Sequence, residues 1–438
     1  MQQYDAYRDS GVEWLGKIPE GWDLRRISSL YDVRNEKVSD QDYPALSVTM
    51  QGVVPQLETA AKTQDGDNRK LVKAGDFVIN SRSDRRGACG ISELDGSVTL
   101  ISNVLSPREN LDMVPRYFSY LFRSEGFADE YYRQGTGIVD DLWSTNWTRM
   151  KNILVACPPP AEQRAIADYL DVKTTEIDGL VADCEREIEL LQEYRKVVIS
   201  EAVTKGIDPT VPMRDSGVEW IGEIPEDWIT VPLKYLVRTI ESGTSVEGAT
   251  WAAGQDEKGV LTLSAVYQSR FTPACNKAVE PSLYEHLSCP VRKGSLLISR
   301  CNTSEWVGTA AYVDEEHENL YLPDKFPDKL WQLTFSNDNI CRYVRYALQA
   351  NASRHYFSAL SVGASSTMQN IAKTDLLSVP IAFPSDNLVE KIVTRLNSKT
   401  SRIDSLISDK QAMIDKLREY RRSHISEAVT GKFKVTGV

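Results

Sequence analysis

The sequence has few of the patterns that mark membrane, secreted or disulfide-stabilised proteins. Its 438 residues include no run of about eighteen apolar residues, which a membrane-spanning helix needs. The first residues, Met1 to Asp5, lack the basic segment and following apolar segment of a signal peptide. The seven cysteines are odd in number and form no Cys-x-x-Cys pair, which argues against a disulfide framework or a cysteine zinc site. We therefore expect a cytoplasmic protein with no membrane partner.

Motifs of catalysis are also missing. The chain contains neither a Gly-x-x-x-x-Gly-Lys-Ser/Thr phosphate loop nor the Asn-Pro-Pro-aromatic motif of adenine methyltransferases. The carboxylate-x-Lys triplet of many nucleases occurs only as Asp171-Val172-Lys173, in a segment expected to be helical. The four histidines are scattered without metal-ligand spacing. The sequence therefore predicts no catalytic, cofactor or metal site in this chain.

Acidic residues outnumber basic ones. There are 51 Lys and Arg against 62 Asp and Glu, a net charge of −11 at pH 7. Because DNA affinity depends largely on neutralising phosphates, the chain is expected to hold DNA poorly by itself. The charge is uneven: residues 161–210 carry 6 basic and 12 acidic side chains, whereas residues 386–438 carry 11 and 7. Opposite net charges favour pairing of these two segments.

An internal repeat organises the chain. Residues 9–22, DSGVEWLGKIPEGW, return as residues 215–228, DSGVEWIGEIPEDW, with 11 of 14 positions identical. A second repeat relates residues 173–204 to residues 399–430, and both copies contain Glu-Tyr-Arg and Ile-Ser-Glu-Ala-Val-Thr. The ends of the two copies are thus alike, while the segments between them differ. This pattern predicts a doubled architecture whose two units carry different working surfaces.

The second repeat has the periodicity of a coiled coil. Apolar residues recur at steps of four and three, which is the spacing of a helix seam that faces another helix. The predicted seam residues are Ile177, Val181, Ile188, Leu191, Ile403, Ile407, Ile414 and Leu417. Each regular stretch would be about 48 Å long at ~1.5 Å per residue. Because a globular segment must return the chain between them, the two helices are expected to lie antiparallel.

The segments between the repeats predict an α+β fold. Two β-like stretches and a helical stretch follow in the same order in both copies: 43–49, 75–82 and 115–133, then 260–266, 294–300 and 338–360. We therefore expect two globular domains separated by two long antiparallel helices that form a coiled-coil spacer, with a pseudo-twofold internal repeat. The predicted globular domains are 1–157 and 209–383, and the predicted helical regions are 158–208 and 384–438.

Basic and polar residues cluster beside a predicted strand in each copy. Arginine and lysine make charged contacts to guanine or phosphate, and Asn, Ser and Thr bind base edges or the DNA backbone. The candidate DNA-binding residues are Arg69, Lys70, Arg82, Ser83, Arg85, Arg86, Arg270, Arg300, Asn302 and Thr303. A solvated loop without a ligand is the alternative. Recurrence at the same place in both copies, with different residues, favours recognition.

At these repeats the sequence resembles the DNA specificity subunit of type I restriction–modification systems. The matching segments are Gly-x-Ile-Pro-x-x-Trp at 16–22 and 222–228, Pro-Pro-Pro-Ala-Glu-Gln-Arg at 158–164, and the helix ends at 193–206 and 419–431. The resemblance covers the whole chain. It departs from the family pattern at 383–387, Phe-Pro-Ser-Asp-Asn, where Pro-Pro-x-x-Glu-Gln is common.

The resemblance implies a non-catalytic DNA-recognition subunit. Each globular part would be a target-recognition domain that reads one half of an asymmetric bipartite site in double-stranded DNA. The helices would fix the spacing and dock two methyltransferase (modification) subunits, and restriction subunits with helicase and nuclease functions would join them. The partners would use S-adenosylmethionine, ATP and Mg²⁺, and this chain would use no cofactor.

Two other classes of function fit parts of the sequence. An adaptor with a long coiled coil could bridge two proteins, and the acidic balance suits that role. A stand-alone nuclease would need an acidic–Lys motif on strands, which the sequence lacks. DNA-independent bridging of other partners would support the first class, and metal-dependent cleavage by the purified chain would support the second.

Overall fold

The computed structural model describes residues 2–56, 66–82, 85–137, 143–325, 328–365 and 368–435. The chain divides into two units, one made of residues 1–185 and 411–438 and the other of residues 186–410. Within the described ranges, no helix combines the length and apolar character needed to cross a membrane. No group of three or more His, Cys, Asp or Glu side chains is placed to hold a metal ion in those same ranges.

The first unit contains a globular part followed by a long helix. Its strands are β1 (Tyr7–Asp9), β2 (Lys17–Pro19), β3 (Asp23–Arg26), β4 (Tyr31–Val33), β5 (Lys37–Val38), β6 (Leu46–Thr49), β7 (Gly52–Pro55), β8 (Arg69–Val72), β9 (Phe77–Asn80), β10 (Cys89–Ile91), β11 (Gly96–Val98), β12 (Ser102–Pro107) and β13 (Leu154–Cys157). Its short helices are α1 (Ile27–Leu30), α2 (Pro115–Phe122), α3 (Glu125–Arg133) and α4 (Trp147–Met150). The long helix α5 spans Pro160–Thr204, and its residues from 186 onward belong to the second unit.

The main sheet of the first unit is antiparallel, with the strand order β10-β9-β12-β4. Alternate side chains of a strand point to opposite faces, so β9 contributes to two cores. Phe77 packs in the aromatic cluster that includes Phe122 of α2, whereas Val78 packs with Val72 of β8 and Val104 of β12. Burial on both faces explains why β9 reads as a continuous apolar run.

The second unit has the same kinds of elements. Its strands are β14 (Met213–Asp215), β15 (Glu223–Pro225), β16 (Ile229–Pro232), β17 (Val237–Ser242), β18 (Gly259–Leu261), β19 (Asn276–Ala278), β20 (Leu296–Ser299), β21 (Cys301–Asn302), β22 (Ala310–Tyr312), β23 (Leu320–Tyr321), β24 (Leu330–Phe335), β25 (Val362–Ser365), β26 (Met368–Asn370) and β27 (Pro380–Phe383). Its helices are α6 (Asp338–Gln349), α7 (Asn351–Leu360), α8 (Lys373–Ser378) and the long α9 (Asp386–Val429), whose last part belongs to the first unit.

The two units share one strand order. The sheet β22-β20-β24-β17 of the second unit repeats β10-β9-β12-β4 of the first, and a helix follows β24 as α2 follows β12. Tyr117 of α2 donates its hydroxyl to the carbonyl oxygens of Ala156 (3.1 Å) and Val429 (3.0 Å). The equivalent Tyr343 of α6 donates to the carbonyl oxygen of Val203 at 3.2 Å. The repeat therefore extends to the hydrogen bonds that hold the end of a long helix in each unit.

The predicted α+β class is confirmed, and several predicted bounds change. Of the β-like stretch 260–266, only Val260 and Leu261 lie in a strand, β18 (Gly259–Leu261), and Leu263–Ser269 forms 3-10 turns. The helical stretch 115–133 divides into α2 and α3 because Ser124 caps the second helix by accepting from the Phe127 amide. The long helices begin at Pro160 and Asp386, inside the predicted helical regions, and their N-terminal parts pack on the globular cores.

Candidate nucleic-acid interface

The predicted seam residues occupy the least exposed face of the two long helices. Ile177, Ile403 and Ile414 are buried. The half-buried seam residues are Val181, Ile188, Leu191, Ile407 and Leu417. In both repeats, the apolar side chains at steps of four and three are thus buried or half-buried, as the periodicity predicts.

In the first unit, ion pairs join α5 to α9. Arg421 lies 2.8 Å from Asp178, and Arg418 lies 2.9 Å from Glu185. As residue numbers rise along α5 they fall along α9, so the two helix segments run antiparallel. This direction places the acidic side chains of α5 opposite the basic side chains of α9, in line with the opposite net charges of the two segments.

The second unit has the same arrangement. Arg195 lies 2.9 Å from Asp404, and Lys410 lies 2.5 Å from Glu187. Arg195 and Lys410 both occupy seam positions where an apolar residue would be expected. Each cation is accommodated because an acidic residue of the other helix reaches it, so the polar interruptions do not leave an unpaired buried charge.

The tryptophan of the Gly-x-Ile-Pro-x-x-Trp motif differs between the units in one contact. In the first unit, Trp22 donates its indole N–H to Glu162 at 3.1 Å, and the Tyr4 hydroxyl donates to the same carboxylate at 2.5 Å. In the second unit, the indole N–H of Trp228 is buried without a partner among the described residues. Leu388 occupies the position equivalent to Glu162. The departure of residues 383–387 from the family pattern thus accompanies the loss of this acceptor.

Two of the predicted DNA contacts make hydrogen bonds within the fold: Arg69 is buried and Lys70 is half-buried. Arg69 is only 2% exposed and donates to the hydroxyl (2.8 Å) and carbonyl (3.0 Å) oxygens of Ser97. Lys70 donates to the carbonyl oxygen of Ser102 at 2.7 Å, and burial lowers the pKa of its ammonium. Both belong to β8, which is the middle strand of the sheet β11-β8-β5, so their cations serve neighbouring segments of the fold.

The loop after β9 brings three predicted arginines to the surface. Arg82, Arg85 and Arg86 are all exposed. Arg86 forms an ion pair with Asp129, and its guanidinium lies over the ring of Tyr132 at 5.3 Å. The predicted contact Ser83 lies outside the described residues. The loop therefore presents a basic surface, in which the charge of Arg86 is partly neutralised by Asp129.

The equivalent arginine of the second unit is engaged within the protein. Arg300 lies 3.6 Å from Asp324, and its guanidinium lies over the ring of Trp331 at 5.5 Å. The Arg300 side chain, which makes both contacts, is half-exposed. A DNA contact by Arg300 would therefore have to replace or share the Asp324 carboxylate.

The remaining predicted residues of the second unit lie at the end of β21 and in the segment before β19. The side-chain oxygen of Asn302 accepts from the Thr303 amide at 2.8 Å, and the Thr303 hydroxyl is buried without a partner among the described residues. Arg270 is exposed, and its guanidinium forms no ion pair or hydrogen bond with any described residue. Arg270 is thus the most available of the predicted cations in this unit.

Two exposed glutamines were not singled out from the sequence. Gln51 lies at the turn between β6 and β7, and Gln268 lies in the loop between β18 and β19. For Gln51, the Met-Gln-Gly tripeptide between two β-branched runs is a turn signal. For Gln268, the sequence contains no comparable signal, because the turn depends on backbone conformations that only the folded loop imposes.

The comparisons with known proteins agree on one family. The chain is 24% identical to the type I restriction enzyme MjaVIII specificity subunit of Methanocaldococcus jannaschii, over 96% of this chain and 94% of that protein. It is 22% identical to the type I restriction enzyme EcoKI specificity subunit of Escherichia coli K12, over 95% and 90% respectively. A solved chain of a type I restriction–modification system superposes with a TM-score of 0.67 at 15% identity, covering 94% of this chain and 98% of that one. No family model matches the chain. The predicted resemblance to type I specificity subunits is confirmed.

Proposed function

We propose that this chain is the DNA sequence-recognition subunit of a type I restriction–modification complex and has no catalytic site of its own. The observation that carries the proposal is the doubled unit: one strand order occurs twice, but the loops after β9 and β20 differ in sequence. Two readers with a shared scaffold and different contact residues suit an asymmetric bipartite site. The full-length similarity to specificity subunits supports the same conclusion.

We further propose that the two long helices form a coiled-coil spacer with pseudo-twofold character. The seam periodicity and the equivalent ion pairs Arg195–Asp404 and Arg421–Asp178 support this proposal. The target-recognition domains would be 1–157 and 209–383, with the spacer regions at 158–208 and 384–438. A regular stretch of about 48 Å corresponds to roughly fourteen base pairs at ~3.4 Å per pair, which would set the gap between half-sites.

Docking of two methyltransferase subunits is supported by apolar side chains that the helices leave exposed. Leu180 and Leu406 are equivalent positions, and each is 48% exposed. Tyr194 and Tyr420 are likewise equivalent and about half exposed. Each unit thus presents one such leucine and one such tyrosine on its helix segments. Two similar apolar surfaces would suit two copies of one partner.

The catalytic functions belong to the partners in this proposal. The methyltransferase subunits would bind S-adenosylmethionine, and the restriction subunits would use ATP and Mg²⁺. The net charge of −11 fits a subunit whose complex obtains many phosphate contacts from other chains. This chain would contribute the choice of sequence.

Co-expression with a methyltransferase subunit tests the proposed function. In a host without other adenine methylation, sequencing should reveal N6-methyladenine at a single bipartite motif, and native mass spectrometry should give two methyltransferase subunits per chain. A complex that methylates without sequence preference contradicts the proposal. Stable bridging of two proteins with no effect on methylation would favour the adaptor instead.

Matched insertions test the spacer. We expect seven residues added between Glu185 and Arg186, together with seven between Lys410 and Gln411, to lengthen the recognised gap by roughly three base pairs, because one heptad adds ~10.5 Å. Four-residue insertions at the same two places serve as the control, since they change the phase of the seam and should impair assembly. An unchanged gap after the seven-residue insertions refutes the ruler.

A further inference from the structure

Each unit presents a glutamine at an exposed tip. Gln51 joins β6 to β7, and Gln268 lies in the longer connection between β18 and β19. Both residues are exposed, and within the described ranges neither carboxamide takes part in a hydrogen bond. Each side chain therefore keeps both its N–H donors and its carbonyl acceptor for a ligand.

The two tips are built alike although their sequences differ. Each glutamine follows a large exposed side chain, Met50 at 63% and Tyr267 at 54%. Each precedes a residue with positive φ, Gly52 at 123° and Ser269 at 59°. The segments that lead into the tips, 43–49 and 260–266, are counterparts in the repeat. The glutamines thus occupy equivalent positions in the two units.

In the first unit, the tip is anchored to the basic loop. The guanidinium of Arg123 donates to the carbonyl oxygen of Met50 at 2.8 Å. Gly87 leaves space for the Met50 side chain, since a β-carbon at position 87 would lie 3.1 Å from the Met50 methyl carbon. Gly87 belongs to the loop that carries Arg82 and Arg86, so the tip and the basic loop form one surface.

In the second unit, different residues perform the same task. Arg345 donates to the carbonyl oxygen of Ser269 at 3.1 Å, and the rings of Tyr267 and Trp306 lie 5.3 Å apart. Trp306 follows Arg300 in its loop. Gln268 and Ser269 adopt φ values of 51° and 59°, which non-glycine residues rarely do. Such strain persists where surrounding contacts impose it, and it concentrates at binding and catalytic sites.

We infer that Gln51 and Gln268 read bases directly, each pairing its carboxamide with an adenine in the major groove of one half-site. This inference rests on the proposed function. A glutamine carbonyl accepts from the adenine N6 amino group while its amide N–H donates to N7, and no other base offers this pair. Arg270, two residues after Gln268, is exposed and can contact guanine or phosphate at the same edge.

The test uses the complex of the full chain with methyltransferase subunits and a duplex library randomised across the site. Methylation rates are read by sequencing. We expect Gln51→Ala to relax the preference at one adenine of the first half-site only, and Gln268→Ala at one adenine of the second only. The discrimination at that position should fall roughly 5- to 150-fold, which is the worth of one bidentate pair. Gln56→Ala and Gln255→Ala, which alter exposed glutamines of the same two units, should leave both preferences unchanged.

Charge substitution gives a second readout. Glu accepts a hydrogen bond from cytosine N4, so Gln51→Glu and Gln268→Glu should shift the preferred base at those positions from adenine towards cytosine. Unchanged preferences in all four variants overturn the inference, as does an equal loss of methylation on every sequence. If the unaltered complex itself shows no bipartite preference, the proposed function fails instead.

Discussion

Arg195 of α5 donates from its Nε to a carboxylate oxygen of Asp404 in α9 across 2.9 Å. The equivalent residues Arg421 and Asp178 form the same pair at 2.8 Å in the other unit. This relationship explains two features of the repeated sequence that periodicity alone does not. In each copy an arginine is kept at a seam position. Each copy also has an Ile-Asp dipeptide earlier in the same helix, and its aspartate pairs with the arginine of the other copy.

Reversing one charge of this pair should destabilise the second unit. Arg195 is 20% exposed and Asp404 is 55% exposed, so the pair is partly screened by solvent. We expect Arg195→Asp to lower the free energy of unfolding by about 1 kcal/mol, and the added Asp404→Arg to restore part of that loss. Urea unfolding of both variants measures the effect. Arg186→Asp is the control, because within the described residues Arg186 pairs with Glu189 of its own helix and both side chains are well exposed. A loss as large at position 186 would contradict the cross-helix role.

Removing the acceptor of Trp22 should cost stability in the first unit. Glu162→Leu copies the residue at position 388 and leaves the buried Trp22 indole and the Tyr4 hydroxyl without their shared partner. We expect a loss of about 1–3 kcal/mol in the free energy of unfolding, the usual cost of a buried donor left unpaired. Glu162→Gln retains an acceptor and should lose less. Equal losses in the two variants would show that the carboxylate charge, and not the hydrogen bonds, stabilises this contact.

The glycines that end the long helices should tolerate alanine unequally. Gly431 has φ of 71°, and a β-carbon there would lie 2.4 Å from Pro19, whereas at Gly206, with φ of 81°, the nearest atom is Trp228 at 3.3 Å. Gly431→Ala should therefore lower the melting temperature more than Gly206→Ala. Gly179→Ala is the control, because it lies in mid-helix with open space and should stabilise α5 by about 1 kcal/mol. The prediction fails if Gly431→Ala proves as harmless as Gly179→Ala.

Acidification should weaken the first unit at His424. The ring is 3% exposed and accepts from or donates to the Tyr169 hydroxyl at 2.8 Å, between the rings of Tyr420 and Phe433. Burial lowers the pKa of His424 below its ordinary value of 6.5, with Lys173 acting in the same direction and Glu427 against it.

Because the pKa is lower in the folded chain, the unfolded chain binds the proton more readily. The free energy of unfolding should therefore fall as the pH drops below about 6.5, and level off once the pH passes below the folded pKa. Urea unfolding at pH 7.5 and 5.5 measures this difference. His424→Gln should reduce the difference, and His355→Gln, at an exposed position, should not. An unchanged difference in His424→Gln assigns the pH dependence to carboxylates elsewhere.

The doubled plan, the α+β class and the long helices can all be predicted from the amino-acid sequence. These features follow from local patterns: the repeated motif ending in Trp22 and Trp228, the steps of four and three, and the short apolar runs. The same motifs also carried the resemblance to type I specificity subunits. Patterns of this kind are legible because neighbouring residues along the chain define them.

Which polar residues are available for recognition depends on contacts that form only in the folded chain. Arg69 is hydrogen-bonded to Ser97, 28 residues away. Arg300 forms an ion pair with Asp324 and lies over the ring of Trp331. Gln268 is exposed by the backbone conformation of its turn, which Arg345 of α6 stabilises through its hydrogen bond to the carbonyl oxygen of Ser269. The physical reason is common to these cases. Burial and pairing depend on residues that the fold brings together from far apart in the chain, and composition and spacing contain no record of those contacts.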